Sequence, residues 1–459
     1  MINGILFSCN PTTFQRKAFS QWMGSARFIW NAKSEEDRYL RTFAKKYLEV
    51  GTYPEINQKY SQYKNKELSP WLSDCPSQIL RNSAANWYET YQKFLKGLCG
   101  RPKIKHKDNG GSILLTRELF YFENDKEGLK LFIGTKKKNL GYLKVKWHDT
   151  RWLKHGYPNC LRLKKTVYER YTISFCYGQD EPKADVKQQF NDLKSLSETE
   201  LSEIVLGIDR GIHVLCATDS PEVQLNPKLD EKKSLSKQEK GIKKYQKRLA
   251  KQQKRSNRRK STKKKLAKKH AKKRNVRNNI SHHISKKLVE TEGKEVFVFE
   301  NLKIKNMTKS AKGTLENKGK NVRQKSGLNR EILGKCWQKI ETFVFYKARR
   351  AGKIVFKIDP KYSSQECACC GHIHPENRKG RLFKCISCGN IDDADRNAGK
   401  VLKKRAIKLL LYSGTELSDY GVLIAKPPES DIGRGAKVRP AKTKSKQAVA
   451  KKRQKRRVA

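Results

Sequence analysis

Acidic residues are what this chain has fewest of for its size: 45 Asp and Glu stand against 103 Lys and Arg in 459 residues, a formal charge of +58. Self-repulsion of that size excludes a neutral, free-standing globule and calls for a polyanionic partner. Long apolar runs are also missing. No stretch of about 18 apolar residues occurs, which excludes a membrane-spanning helix. The opening MINGILFSCN lacks a basic region followed by a long apolar segment, so no secretory signal is expected. Cysteine framework spacing is absent too: Cys9, Cys75, Cys99, Cys160, Cys176, Cys216 and Cys336 are scattered singles, read as reduced, small apolar fillers. Apolar material is not lacking. Hydrophobic residues make up 36% of the chain, with 17 Phe, 18 Tyr and 7 Trp, which excludes wholesale disorder. The length predicts about three domains of about 150 residues each.

The positive charge is concentrated. Residues 231–287 carry 25 Lys and Arg against Glu231 and Glu239, and residues 434–459 carry 12 with no acid. Within 231–287, Ile242, Tyr245, Leu249, Leu266, His270, Ile280, Ile284 and Leu288 recur at several helical spacings, with SNRRKST (256–262) reading as a turn. This predicts a basic helical hairpin docked by a thin apolar seam and presenting its cations to phosphate. The C-terminal segment has almost nothing to bury and is expected to be disordered. Its KKRQKRR run matches a nuclear-signal composition, but non-specific nucleic-acid binding is the more economical reading.

The remaining cysteines form a cluster. Cys367-x-x-Cys370 and Cys385-x-x-Cys388 are separated by fourteen residues, and each pair ends in Cys-Gly. Gly371 and Gly389 permit the left-handed turn that aims amides at thiolates. Two such knuckles supply four soft ligands for a closed, structural Zn²⁺ site. Cys369 lies inside the first knuckle, and His372 and His374 follow it. Any of these can substitute as a ligand; the four paired cysteines are favoured. Arg378, Lys379, Arg381 and Lys384 on the intervening loop are expected to face nucleic acid.

Three acids stand out against the basic background. Asp209 ends the apolar strand 204–208, Glu300 ends the strand 296–299, and Asp395 lies where a helix begins, with Ala398, Val401, Leu402 and Leu409 inward. Singly each has a bland reading, as a helix cap or a loop residue. Together they describe three carboxylates brought to one place, the oxygen ligands that Mg²⁺ requires. A pair of such ions activates water and stabilises the leaving oxygen of a phosphodiester. The order of elements supports a mixed sheet flanked by helices, the ribonuclease H-like plan: strands at 204–208, 214–218 and near 223–225, the basic hairpin, the 296–299 strand, a helix over 328–351 stopped by Gly352, a strand at 354–358, the zinc loop and the Asp395 helix.

Along this order the residues resemble the TnpB family of transposon-encoded RNA-guided nucleases, related to compact type V CRISPR effectors. ARFIWN (26–31), SPWLSDCPSQILRNSAANWYETYQKFLKG (69–97), RPKIKHK (101–107), GIDRG (207–211), VFENL (298–302), the segment 327–367, both CxxCG knuckles and DADRNA (393–398) carry the resemblance over about residues 12–412. It implies that Asp209, Glu300 and Asp395 form a RuvC-type catalytic triad with Mg²⁺. It implies that Cys367, Cys370, Cys385 and Cys388 bind Zn²⁺ in a target-nucleic-acid module at 361–390. The implied fold is α/β and multidomain. A RuvC-like core spans 200–360 and 391–412, with the basic hairpin inside it. An oligonucleotide-binding-like barrel comprises 1–11 and 100–195, a helical recognition insert 12–99, and a basic tail 413–459. The implied partners are a guide RNA and double-stranded DNA in a prokaryotic cytoplasm or nucleoid, with the oligomeric state left open. Phe28, Trp30, Trp87, Tyr88 and Tyr91 are candidates to stack on bases, although core packing is the better reading for most. Gly399 stands where the family commonly has Ala, and 308–327, rich in Gly, Lys and Asn, reads as a mobile lid beside Glu300. Three alternatives keep the charge but change the role: a compact CRISPR effector with a CRISPR-derived guide, a cleavage-deficient RNA-guided binder, and a general RNA-coating protein, which would not need three acids at strand ends.

Overall fold

The computed structural model describes residues 2–49, 55–65, 67–135, 139–178, 186–220, 223, 225–314, 317–418 and 421–425. The chain divides into two compact units, residues 1–184 with 227–284 and residues 185–226 with 285–459. Among the described residues no helix is long and apolar enough to cross a membrane.

In the first unit, β1 (Ile2–Asn10) is followed by helix Thr13–Tyr39, helix Ser77–Leu95 and strands β2 (Gly111–Thr116), β3 (Phe120–Asp125), β4 (Gly128–Gly134), β5 (Asn139–Tyr142), β6 (Lys144–Lys146), β7 (Cys160–Lys165) and β8 (Tyr171–Gly178). A five-stranded sheet runs β2-β7-β8-β1-β6 and a three-stranded sheet runs β3-β4-β5. Period-two alternation turns Leu161, Leu163, Ile173 and Phe175 inward, where they meet Trp152 and Phe7. Phe19, Trp22, Ile29, Leu80 and Ala84 of the two helices join the same core.

Helix Thr13–Tyr39 opens with a capping box: Gln15 N–H donates to Thr12 Oγ1 (3.2 Å) and Thr12 N–H to Gln15 Oε1 (3.0 Å). Near its end, Trp30 Nε1 donates to Lys103 O (2.9 Å), and Asn31 exchanges two hydrogen bonds with the Lys105 backbone. The Trp-Asn pair of the ARFIWN motif is thus a clamp on the extended 101–107 segment. Trp30 and Trp87 are buried, so core packing is their role, while Phe28 is exposed and meets Trp71 edge-on at 5.8 Å.

The basic segment forms helices Leu229–Lys251 and Asn257–Val289. Lys273 with Glu239 (2.5 Å) and His283 with Glu231 (3.3 Å) set an antiparallel register. The expected turn is displaced. The chain reverses at 252–256, and the second helix already includes most of SNRRKST, because Ser256 Oγ accepts from Arg259 N–H and Arg259 Nη1 donates to Gln252 O. Ile242, Ile280 and Ile284 are buried as the seam required; His270 is exposed and lies outside it.

In the second unit, β9 (Val205–Asp209), β10 (Ala217–Thr218), β11 (Val296–Glu300) and β12 (Ile354–Ile358) form a sheet ordered β10-β9-β11-β12. β9, β11 and β12 are parallel neighbours and β10 is antiparallel. Near-continuous burial of β9 and β11 is what a sheet covered on both faces produces. Helix Ala394–Leu411 packs on β9 at a glycine contact: a Cβ on Gly207 would stand 2.0 Å from Gly399 O, and one on Gly399 would stand 2.9 Å from Asp219 N. Gly399 therefore permits a closer helix–strand approach than Ala would.

The single helix expected over 328–351 is two, Val322–Lys335 and Trp337–Arg350, broken at Cys336 in the left-handed region (φ 58°). The earlier start at 322 shortens the expected lid to a stretch that contains a bridged turn, Gly313 with Lys318. Near 223–225 there is an isolated bridge from Leu225 to Cys216 in place of a strand; 221, 222 and 224 lie outside the described residues. The expected tail also begins with structure. Thr415–Leu417 pairs with Leu423–Ala425, and Leu423 is buried in the sheet's core because it is apolar and within reach of it. The 434–459 segment lies outside the described residues.

Candidate catalytic and metal centres

Asp209 and Glu300 are the last residues of β9 and β11. The parallel register pairs Phe299 with Ile208, which brings the two acids level at adjacent strand ends. Asp395 enters from the first turn of helix Ala394–Leu411. The cap of that helix is another residue: Asp393 Oδ1 accepts from the N–H groups of Asp395 (3.1 Å) and Arg396 (3.3 Å). Asp392, in turn, is buried against Arg396 and Lys400. Three acids within four residues thus do three jobs, and only Asp395 is left to face the strand ends. A Cβ on Gly211 would come within 3.3 Å of Asp395 Oδ2.

Burial and neighbouring negative charge shift the titration of Asp209, and burial shifts that of Glu300. Asp209 is pushed up to about 8, first by burial and then by the negative charges of Glu300 and Asp395. Glu300, 7% exposed, is raised by burial, against the hydrogen bond from Ser363 and the nearby Arg210, Arg405 and Arg378. Ser363 Oγ donates to Glu300 Oε1 at 2.6 Å. Arg378 Nη2 donates to Asp395 Oδ1 at 3.0 Å. Arg378, expected to face nucleic acid from the zinc loop, instead directs its guanidinium at the Asp395 carboxylate. Arg381 pairs with Asp393 yet stays exposed, as do Lys379 and Lys384. Ser363 was missed altogether. A serine in a loop carries no signal until its partner is known.

The four cysteines converge. Sγ of Cys367 and Cys388 lie 3.6 Å apart, as do those of Cys370 and Cys385, and all four lie within 4.8 Å of one another. Tetrahedral zinc with Zn–S bonds of about 2.3 Å needs sulfurs about 3.8 Å apart, so the donor set fits that ion. Gly371 (φ 77°) and Gly389 (φ 72°) make the knuckle turns in the left-handed region. The Cys388 N–H directed at Cys385 Sγ helps to pull that thiol down to about 7. Cys369 is exposed, and neither His372 nor His374 belongs to the cluster. Among the described residues, this is the one set of three or more Cys, His, Asp and Glu side chains gathered so tightly. The three carboxylates are more open, with Arg378 between charges that would otherwise repel. Their hard oxygen donors suit Mg²⁺.

The two centres are fastened together. Asn397, on the Asp395 helix, accepts from Ala368 N–H (3.0 Å) and donates to Glu366 O (2.7 Å) beside the first knuckle, and Ala394 N–H donates to Arg381 O (2.8 Å).

Comparison with known proteins follows this division. Residues 174–311, which include Asp209 and Glu300, match the family model described as "Probable transposase". Residues 337–402, which include the four cysteines and Asp395, match "Cas12f1-like, TNB domain". Both matches are consistent with the TnpB family, to which this chain is similar. It is 26% identical over 399 residues to "Putative RNA-guided DNA endonuclease InsQ" of Escherichia coli (strain K12), covering 86% of this chain and 90% of that protein. Over 58 residues it is 50% identical to "CRISPR-associated endodeoxyribonuclease Cas12f1" of Sulfoacidibacillus thermotolerans, 12% of this chain and 14% of that one. Its fold is similar to that of Cas12f1 in a complex with sgRNA and target DNA, with a TM-score of 0.51 at 14% identity, covering 84% of this chain and 82% of that one.

Proposed function

We propose that the protein is an RNA-guided DNA endonuclease with a RuvC-like active site at Asp209, Glu300 and Asp395 and a structural zinc at Cys367, Cys370, Cys385 and Cys388. The observation that carries this reading is the convergence of three buried-side carboxylates at two parallel strand ends and one helix start, in a chain otherwise dominated by Lys and Arg. Divalent cations held there would supply water activation and stabilisation of the leaving oxygen in phosphodiester hydrolysis. The protein's part is to hold the ligands. Asp209 and Glu300 are fixed by backbone pairing, Ser363 orients the Glu300 carboxylate, and the Asp393 cap leaves Asp395 free to turn inward. Arg378 balances the cluster's charge, and its side chain is 32% exposed. The antiparallel sheets of the first unit serve as the oligonucleotide-binding-like barrel, with 12–99 as recognition insert, and the hairpin supplies phosphate-binding charge. In this reading base pairing to the guide selects sequence, while the protein reads backbone shape and a short flanking motif. It would act in a prokaryotic cytoplasm or nucleoid.

The test combines two measurements. Purified protein loaded with its co-purifying RNA should cut matching DNA only with Mg²⁺, and Asp209→Ala should abolish cutting while leaving RNA bound. Cutting unchanged in Asp209→Ala would overturn the site. Sequencing the co-purified RNA should return one structured species with a variable end; heterogeneous RNA would support a general RNA coat instead. The 50% identity with Cas12f1 over 58 residues favours one second reading, the same chemistry with a CRISPR-derived guide. A repeat array beside the gene, in place of transposon ends, separates the two.

A further inference from the structure

Among the described residues, Lys33 and Arg210 are the buried members of the Lys and Arg set, and Arg210, immediately after Asp209, is 3% exposed. It directly follows the last residue of β9, and its guanidinium makes its hydrogen bonds to groups other than the Asp209, Glu300 and Asp395 carboxylates. Nη1 pairs with Glu341 Oε2 at 2.5 Å, Nη2 donates to the backbone carbonyl of Glu300, and the guanidinium lies 5.3 Å from the Phe299 ring centre. The other Glu341 oxygen accepts from Lys357 Nζ at 2.6 Å, and Lys357 is the neighbour of Ile358, which pairs with Glu300. Helix Trp337–Arg350, which carries Glu341, also reaches Gly211, whose carbonyl accepts from Trp337 Nε1 at 3.2 Å. One helix therefore grips both residues that follow Asp209, and one guanidinium ties the Asp209 strand end to the Glu300 strand end.

A buried ion pair commonly adds little stability over apolar residues of the same volume, so stability alone does not account for a charge here. The direction of its second hydrogen bond does. We infer that Arg210 is a positioning residue: with Glu341 as counter-ion, it sets the spacing of Asp209 and Glu300 and thereby the affinity of the acid cluster for divalent cations, touching neither cation nor nucleic acid. This rests on the proposed metal-binding role of that cluster. Outer ligands of metal sites typically change metal affinity by about tenfold or more when removed.

The experiment reads Mn²⁺ binding by electron paramagnetic resonance on the intact chain, beside its melting temperature without metal. Asp209→Asn identifies the signal that belongs to the cluster; if it leaves Mn²⁺ binding unchanged, the metal-site reading fails and the inference falls with it. Arg210→Met should weaken that binding about tenfold and lower the melting temperature, because the partly buried Glu341 loses one of its two cationic partners. Arg210→Met combined with Glu341→Met should recover melting temperature but not Mn²⁺ affinity. Recovery of both would mean that the pair is merely structural and would overturn the inference. Arg210→Lys guards against misfolding. It keeps the charge, but a point ammonium cannot span Glu341 and the Glu300 carbonyl together. It should melt near wild type and bind Mn²⁺ more weakly; wild-type affinity in Arg210→Lys would overturn the inference as well.

Discussion

The acid Asp209 differs from an ordinary aspartate by being held neutral. With its folded pKa at about 8 and an unfolded value near 3.9, the folded chain keeps a proton that the unfolded chain has already released. Metal-free stability therefore falls as pH rises through that window, and the loss is complete above pH 8. Asp209→Asn removes the titration. Its melting temperature without metal should exceed that of wild type by a margin that grows between pH 5 and pH 8, and a margin independent of pH would contradict the buried, coupled state described here. Asp209, Glu300 and Asp395 were legible in the sequence because each sits where an apolar period ends or begins. Their supporting residues were not. Whether Ser363 donates to Glu300, or Arg378 meets Asp395 instead of phosphate, depends on which loop folds back against which strand, and neither residue's immediate neighbours encode that.

Elements were legible wherever hydrophobic period and chain punctuation agreed, as at β11, β12 and the Gly352 stop, where φ is 70°. They were illegible where the backbone turned without a signal. Apolar spacing runs through 328–351 unbroken, but a single left-handed residue at Cys336 divides the helix. A non-glycine residue there costs about 1–2 kcal/mol, partly offset in any glycine variant by about 0.5–1 kcal/mol of unfolded-chain entropy. Cys336→Gly should accordingly be neutral to about 1 kcal/mol stabilising in denaturant titration, whereas β-branched Cys336→Val should destabilise. A Val variant as stable as wild type would show that the break is not strained. The hairpin turn shifted for a related reason: SNRRKST has turn composition, but its serine serves better as the hydroxyl that starts the next helix.

Zinc retention is decided at the same scale. The knuckle strands are short, Arg378–Lys379, Leu382–Lys384 and Ile391–Asp393, and the cluster around Phe383 is small, so a zinc held by the four cysteines, as proposed, would be the main tether of this module. Elemental analysis should return zinc, and a strong chelator should lower the melting temperature and expose 361–390 to protease. Cys385→Ser should do both without a chelator. Chelation that removes zinc but leaves proteolysis unchanged would show that the module folds unaided.

For the whole molecule, charge density is the property most directly readable from composition, and its use is testable through salt. Lys247, Lys251 and Lys268 are exposed on the hairpin. If they contact phosphate, replacing each by Gln should flatten the dependence of RNA affinity on salt by about one unit of log–log slope per lysine. An unchanged slope would remove the hairpin from the RNA interface. The fold class was readable at this scale from the sequence of strands and helices. The sharing of one core by the 13–95 helices and the sheets of the first unit was not, since both surfaces are merely apolar until they meet.

The acids at 209, 300 and 395 belong to elements far apart along the chain, and the helix that carries the last one docks on the first strand through the Gly207–Gly399 contact. A chain made from its N-terminus acquires the sheets, the insert and the basic hairpin well before residue 395 leaves the ribosome. If the three acids form the proposed active site, the chain can gather RNA during synthesis while that site is still missing a member. Under the proposed function, separating the acids along the chain would act as a safety delay, with capture of a guide preceding the ability to damage DNA.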